Sequence, residues 1–231
     1  MAGRIRAVLF DAHGTLIHLR EPVGHTYARL AGEFGVTLAP ERIEAGFCAA
    51  FRSMPPMVFA GQSPARVRQL ERAWWRTLVL ATVREANGCA TFLNFEDYFN
   101  SLFDHYGSAN AWELFPGARQ TLIGLRQRGY RTGMISNFDH RLSMVLQGLE
   151  LEDLFDTVVR PADAAAAKPS GAIFALALQR LGLAAAAAVY VGDDAEHDIA
   201  AARAAGLHAV DVGSLPSLAA LIRHLEQLAR W

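Results

Sequence analysis

Short apolar runs that end abruptly in polar residues alternate along this chain with amphipathic stretches. The runs are rich in β-branched and aromatic residues, which is typical of buried parallel strands. The predicted strands are Arg6 to Phe10, Tyr130 to Ser136 and Val189 to Val191, with two weaker ones at Thr157 to Arg160 and His208 to Val212. Amphipathic stretches such as Ala118 to Arg128 and Asp198 to Ala205 predict the intervening helices. Strand alternating with helix predicts an α/β fold with a doubly wound parallel sheet.

The interval from about His18 to Trp112 breaks this alternation. It carries no convincing strand, and its apolar positions recur at helical spacing. The predicted helices run from Val23 to Phe34, from Pro40 to Arg52, from Pro64 to Arg84 and from Phe95 to Tyr106. We therefore expect two domains, an α/β core of residues 1–17 and 113–231 and an inserted helical domain of residues 18–112.

The overall composition is that of a folded protein with no strong charge bias. The 231 residues include 22 basic and 23 acidic side chains, and this balance argues against nucleic acid or an anionic membrane as the main partner. The first ten residues lack the apolar stretch of a signal peptide, so we expect a cytoplasmic protein. Cys48 and Cys89 are too few for a disulfide framework or a zinc site, and we expect both to be buried free thiols.

Polar residues follow the predicted strands as an ordered set. In an open parallel sheet, ligands bind beyond the carboxyl ends of the strands. The set comprises Asp11, His13, Gly14 and Thr15 after the first strand, Ser136 and Asn137 after the second, and Asp193, Asp194 and Asp198 after the fourth. Lys168, the only lysine in the chain, precedes a helix between the third and fourth strands and can approach the same edge. A single aspartate after a strand is often a turn former, but the whole set in this order indicates a site.

The acidic members of this set would lie close together at the sheet edge. Asp11, Asp193 and Asp194 would repel one another there unless a cation lies among them. Mg²⁺ meets that need, because it prefers carboxylate and water oxygens as ligands. Asp11 would then be a metal ligand or a nucleophile, on a tight turn that Gly14 permits.

The remaining members suit an anion. Ser136 and the backbone amides around Asn137 would hold phosphoryl oxygens, and Lys168 would add a compact positive charge. Phosphoryl transfer depends on such positioning and charge neutralisation. The residues therefore predict that an anionic, phosphorylated ligand binds at this edge.

This set resembles the four motifs of the haloacid dehalogenase superfamily. The motifs read Asp11-Ala12-His13-Gly14-Thr15-Leu16, then Ser136-Asn137, Lys168-Pro169, and Gly192-Asp193-Asp194 with Asp198. The helical insert directly after the first motif resembles the type 1 cap of subfamily I. The resemblance implies a Rossmann-like core with strand order 3-2-1-4-5, which places Asp11 between Ser136 and Asp193. Glu21-Pro22-Val23-Gly24 and Trp74-Trp75 are similar to the branch that contains the haloacid dehalogenase-like hydrolase domain-containing protein 3.

The resemblance also implies a role for each residue. Asp11 would form an aspartyl-phosphate and would bind Mg²⁺ together with Asp193 and the backbone carbonyl of His13. Asp194 or Asp198 would complete the metal shell or orient the lysine. The implied phosphate contacts are Ser136, Asn137, Lys168 and Thr15, and the implied catalytic residues are Asp11, His13, Ser136 and Lys168. The expected ligand is a small phosphorylated metabolite, and the expected assembly is a monomer or a homodimer.

His13 departs from the usual pattern and leaves alternatives open. Phosphatases of the superfamily normally carry an acid/base aspartate two residues after the nucleophile. Histidine can also exchange protons, and neighbouring carboxylates would raise its pKa above about 6.5. A slow phosphatase or a catalytically weak phosphate-binding protein is therefore one alternative. A metal-independent 2-haloacid dehalogenase, which would carry an aromatic residue at this position, is another, but Asp193 and Asp194 favour Mg²⁺.

Overall fold

The computed structural model describes residues 4–86 and 92–228 of the chain. Cys89 therefore lies outside the described residues. The chain divides into two compact units. One comprises Met1–His18, Val58–Gly61 and Glu113–Trp231, and the other comprises Leu19–Met57 and Gln62–Trp112.

The first unit is built on a five-stranded parallel sheet. The strands of the described residues are β1 (Ala7–Phe10), β2 (Ile17–Leu19), β3 (Trp112–Leu114), β4 (Arg131–Ile135), β5 (Thr157–Val159), β6 (Ala188–Gly192) and β7 (His208–Asp211). The sheet order is β5-β4-β1-β6-β7, and every neighbouring pair is parallel. Counted along the chain, these five strands have the order 3-2-1-4-5, which confirms the predicted Rossmann-like α/β fold. The fully buried β1 is the central strand, so the residue after it lies at the middle of the sheet edge.

Helices pack around this sheet and also form the second unit. They are α1 (Val23–Glu33), α2 (Pro40–Ser53), α3 (Pro64–Ala86), α4 (Phe95–Gly107), α5 (Ala118–Gln127), α6 (Leu142–Gly148), α7 (Pro161–Ala164), α8 (Gly171–Leu181), α9 (Ala201–Ala204) and α10 (Ala220–Leu228). On one face of the sheet, Ile173 and Phe174 of α8 share a buried cluster with Leu9 and Tyr190. Helix α8 thus packs against the strands that end at the predicted site.

The second unit consists of α1 to α4, as the helical spacing predicts. In α1 the buried residues Val23, Tyr27 and Leu30 recur at the interval that places them on one face of a helix. They join a core with Ile43 of α2 and Tyr98 of α4. Cys48 is free in this unit, but it is exposed, contrary to the expected burial.

Two further features differ from the sequence prediction. Strands β2 and β3 pair in a separate two-stranded sheet, and each is three residues long, too short for a periodic pattern to show. The helix predicted from Asp198 to Ala205 begins earlier, as a π-helical turn over Ala195–Ala200 that continues into α9. The wide turn is closed by the bond from the Ile199 N–H to the Asp194 carbonyl at 3.0 Å. Among the described residues, no helix combines the length and the apolar character needed to cross a bilayer.

Candidate active site

Asp11 and Lys168 form a buried ion pair at the carboxyl end of β1. The Asp11 N–H donates to the Val191 carbonyl at 2.9 Å, so the nucleophile candidate is held in line with β1 and β6. Lys168 Nζ lies 2.6 Å from Asp11 Oδ1, and the two side chains are only 5% and 8% exposed. Because water screens a buried pair weakly, this contact fixes the position of both groups.

The Lys168 ammonium makes three hydrogen bonds. Besides Asp11 it donates to Asp198 Oδ1 at 2.5 Å and to the Tyr190 hydroxyl at 3.0 Å. An ammonium has three N–H groups, so each has an acceptor. Burial alone would lower the pKa of Lys168, but Asp11 and Asp198 outweigh it and raise the pKa above its ordinary 10.5. The lysine is therefore charged.

Asp198 connects this lysine to the loop after β6. Its Oδ2 accepts the backbone N–H groups of Asp193 and Asp194, each at 3.2 Å, while its Oδ1 accepts from Lys168. The side chain is buried directly behind Gly192, where a Cβ would overlap the carboxylate. A single carboxylate thus shapes the loop and holds the cation.

Asp193 completes a group of carboxylates around Asp11. Ligand oxygens of Asp11, Asp193 and Asp198 all lie within 4.8 Å of one another. Gly14 has a φ of +90°, and a Cβ on it would overlap the Asp193 carboxylate. The Thr15 hydroxyl donates to Asp193 Oδ1 at 3.2 Å. The turn after β1 therefore both admits and orients the Asp193 side chain.

Two carboxylates of this group, those of Asp11 and Asp193, resist ionisation. Burial raises the pKa of Asp11 to about 6, although Lys168 opposes the rise. Partial desolvation and the charge of Asp198 raise the pKa of Asp193. Oxygen donors with excess negative charge fit a hard divalent cation. Asp198 already accepts hydrogen bonds at both oxygens, so Asp11 and Asp193 are the better placed ligands.

Residues 5–206 match the family model of the haloacid dehalogenase-like hydrolases. The chain belongs to this family. Its curated relatives include the haloacid dehalogenase-like hydrolase domain-containing protein 3 of Mus musculus, which is 34% identical over 220 residues and covers 95% of this chain and 86% of that protein. The resemblance to this branch is thereby confirmed.

A further protein is similar to this hydrolase in sequence, and a solved structure is similar to it in fold. A ribulose-1,5-bisphosphate 5-phosphatase of Halopiger xanaduensis is 38% identical over 113 residues, which is 48% of this chain and 47% of that protein. The structure of a HAD-hydrolase of Bacillus subtilis bound to magnesium has a TM-score of 0.71 at 17% identity, over 97% of this chain and 100% of that one. At that identity the structural likeness supports the shared fold.

In this haloacid dehalogenase-like hydrolase, Asp194 lies outside the carboxylate group. Its Oδ1 accepts the backbone N–H groups of Glu196 at 2.9 Å and His197 at 2.7 Å, and the residue is exposed. These bonds lower the pKa of Asp194. The Asp194 side chain thus caps the π-helical turn, and a place for Asp194 in the expected metal shell stays a prediction.

The structure shows what surrounds two of the predicted phosphate contacts, Ser136 and Asn137. Ser136 is buried at the end of β4, with its N–H donating to the Val159 carbonyl at 3.1 Å. The Asn137 side chain instead bonds the backbone of Lys168. Phosphate binding by Ser136 and by the amides around Asn137 stays a prediction, and so does a phosphate contact by Thr15, whose hydroxyl holds Asp193.

The pKa of His13 shifts in the direction opposite to the one expected. Partial burial of the ring and the nearby His18 lower it from the ordinary 6.5, and they outweigh the attraction of Asp193. The neutral imidazole therefore predominates at pH 7.

Tyr190 is a member of the site that sequence reasoning missed. It lies on β6, and its hydroxyl contacts both Lys168 and Asp198. The sequence does carry a signal for this role. Tyr190 stands in an otherwise aliphatic strand, and a buried phenol needs a polar partner.

Proposed function

We propose that this hydrolase is a Mg²⁺-dependent phosphatase that acts on a small phosphorylated metabolite through an aspartyl-phosphate at Asp11. The observation that carries the proposal is the position of Asp11, 2.6 Å from the Lys168 ammonium and grouped with the Asp193 carboxylate. Catalysis of phosphoryl transfer consists largely of such positioning and charge neutralisation. The similarity to the ribulose-1,5-bisphosphate 5-phosphatase supports the same reaction class.

Asp11 and Asp193, together with the backbone carbonyl of His13, would hold the metal. When bound, Mg²⁺ would supply positive charge that offsets the negative charge of the phosphoryl oxygens. The fit rests on the carboxylate oxygens grouped within 4.8 Å and on the raised pKa of both aspartates.

The chain's own groups would carry two steps. In the first, a carboxylate oxygen of Asp11 forms a bond to phosphorus as the bond to the leaving oxygen breaks, and the leaving alkoxide takes up a proton from water. In the second, water attacks the phosphorus, the P–O bond to Asp11 breaks, and the water gives its proton to the His13 imidazole, so that inorganic phosphate leaves and the Asp11 carboxylate is restored. Lys168 stabilises the charge in both steps, and Ser136 with the amides near Asn137 would bind the phosphoryl oxygens.

The neutral His13 favours a slow enzyme as the second candidate. A neutral imidazole accepts a proton from the attacking water, but it is a poor donor to the leaving alkoxide. Loss of a positioned acid/base group costs on the order of 100- to 10,000-fold in rate. A catalytically weak phosphate-binding protein is therefore the alternative to an efficient phosphatase.

A panel of phosphorylated metabolites tests the proposal. We expect phosphate release that requires Mg²⁺ and is lost in Asp11→Asn but retained in Asp163→Asn, a matched change away from the carboxylate group. Fluoroberyllate with Mg²⁺ should raise the melting temperature of the wild type and not of Asp11→Asn. Binding without turnover would support the weak binder instead, and halide release from a 2-haloacid without metal would replace both with a dehalogenase.

A further inference from the structure

The Tyr190 hydroxyl lies where three parts of the site meet. It is 3.0 Å from Lys168 Nζ, 2.9 Å from Asp198 Oδ1 and 3.2 Å from the carbonyl oxygen of Ile135. The residue is fully buried, and the Phe174 ring packs edge-on against its ring at 5.2 Å. The phenol is thus held in one place by its own packing.

The Tyr190 hydroxyl is both an acceptor and a donor in this contact. The hydroxyl accepts one N–H from Lys168 and has one proton to donate, which the shorter distance assigns to Asp198. Asp11 and Asp198 take the other two N–H groups of the lysine. The third acceptor, the Tyr190 hydroxyl, is therefore neutral. It fixes the direction of the ammonium and adds no negative charge at the proposed anion site.

We propose that Tyr190 is a positioning residue for Lys168. Its hydroxyl keeps the ammonium against Asp11, so that the positive charge is already in place when a phosphoryl group arrives. The kinetic part of this inference rests on the proposed phosphatase function, whereas the structural part concerns the lysine alone and can be tested without turnover.

The single lysine of the chain makes a direct test possible. Protein labelled with ¹⁵N-lysine has one side-chain ammonium signal. In the wild type we expect this signal to be protected from exchange with water and to show a nuclear Overhauser contact to the Tyr190 ring, 5.7 Å from Nζ at its centroid. In Tyr190→Phe we expect the signal to shift and to exchange faster, because one acceptor is gone.

Tyr98→Phe is the matched control. Tyr98 is also fully buried and its hydroxyl donates to a single acceptor, the Tyr27 carbonyl at 3.2 Å. The change removes the same atom from the second unit, so it should leave the lysine signal unaltered. A wild-type ammonium without exchange protection, or a Tyr190→Phe signal that matches the control, would overturn the inference.

Kinetics supply the second measurement. Tyr190→Phe should lower kcat about tenfold, the factor that one lost hydrogen bond represents. KM should change by less than about threefold, because the oriented charge matters most as charge develops in the transition state. Equal kcat values in Tyr190→Phe and Tyr98→Phe would contradict the kinetic role. Absence of turnover in the wild type would count against the proposed function, while the lysine signal would still decide the positioning.

Discussion

The side-chain amide of Asn137 forms two hydrogen bonds with the backbone of Lys168. The Lys168 N–H donates to Asn137 Oδ1 at 2.8 Å, and Asn137 Nδ2 donates to the Lys168 carbonyl at 3.0 Å. The loop after β4 therefore fixes the main chain at the lysine, while Asp198 and Tyr190 fix its ammonium. The position of this one charge is set at both ends of the side chain.

Asn137→Ala should reduce activity by more than it reduces stability. Loss of the two bonds would cost about 1–2 kcal/mol of folding free energy and would let the lysine backbone move. We expect kcat to fall about tenfold. Asn94→Ala removes an amide that caps α4 and serves as the control, with a similar stability loss and unchanged kcat. Equal kcat values in the two variants would argue against a role for the Asn137 contact.

Asp198 and Asp194, two of the three acidic residues of the fourth motif, should differ in importance. Asp198→Asn leaves a buried ammonium short of one carboxylate, and we expect a loss of about 3 kcal/mol in urea unfolding together with loss of activity. Asp194→Asn affects an exposed cap and should cost about 1 kcal/mol or less. If Asp194→Asn abolished Mg²⁺-dependent stabilisation while Asp198→Asn retained it, the arrangement described for this loop would be wrong.

Gly14→Ala should weaken metal binding through a steric conflict. Gly14 and Gly35 both have positive φ, at +90° and +73°, but a Cβ at Gly14 meets the Asp193 carboxylate whereas one at Gly35 meets nothing within 4 Å. Both variants pay the strain of about 1–2 kcal/mol for an alanine in this conformation. We expect only Gly14→Ala to raise the Mg²⁺ dissociation constant, by about tenfold, in a titration followed by melting temperature. An equal Mg²⁺ affinity in both variants would exclude the close approach as its cause.

His13→Asp should raise turnover most for poor leaving groups. Burial lowers the pKa of His13, so at pH 7 it has little protonated form to donate. An alkyl phosphate needs that proton more than an aryl phosphate does. We therefore expect the variant to gain more in kcat/KM on an alkyl phosphate than on p-nitrophenyl phosphate, and His13→Asn to gain on neither. Equal gains on both substrates would show that proton donation is not the limiting function.

Asp163 should stabilise the fold above acidic pH. Burial alone would raise its pKa, but hydrogen bonds from Arg160 and the charges of Arg160 and Arg180 outweigh it and hold the pKa below the ordinary 3.8. A lowered folded-state pKa means that the contribution is complete above 3.8 and is lost as pH falls through the folded value. The stability gap between wild type and Asp163→Asn in urea unfolding should therefore be largest near pH 7 and shrink toward pH 3. A gap independent of pH would contradict this expectation.

The sequence predicted the frame of the site better than its internal contacts. Strand–helix alternation predicted the parallel sheet, and the resemblance to the haloacid dehalogenase superfamily implied the strand order that brings Asp11, Asp193 and Asp198 to one edge. The contacts of Asn137 and Tyr190 with Lys168 join residues 31 and 22 positions apart, and they depend on side-chain directions that no periodic pattern encodes. The cap formed by Asp194 was missed for a similar reason, because the adjacent carboxylates of Gly192-Asp193-Asp194 look equivalent until the π-helical turn separates them.

Asp198 serves the two sides of the site with its two oxygens. One oxygen bonds Lys168, on the side expected to meet phosphate, and the other holds the backbone that carries Asp193, on the side expected to meet metal. Substitutions on either side should therefore show strong epistasis with Asp198, and a double-mutant cycle through it should be far from additive. During evolution toward a new substrate, the residues around this carboxylate can change one side at a time. A change of Asp198 itself would alter the lysine side and the metal side together.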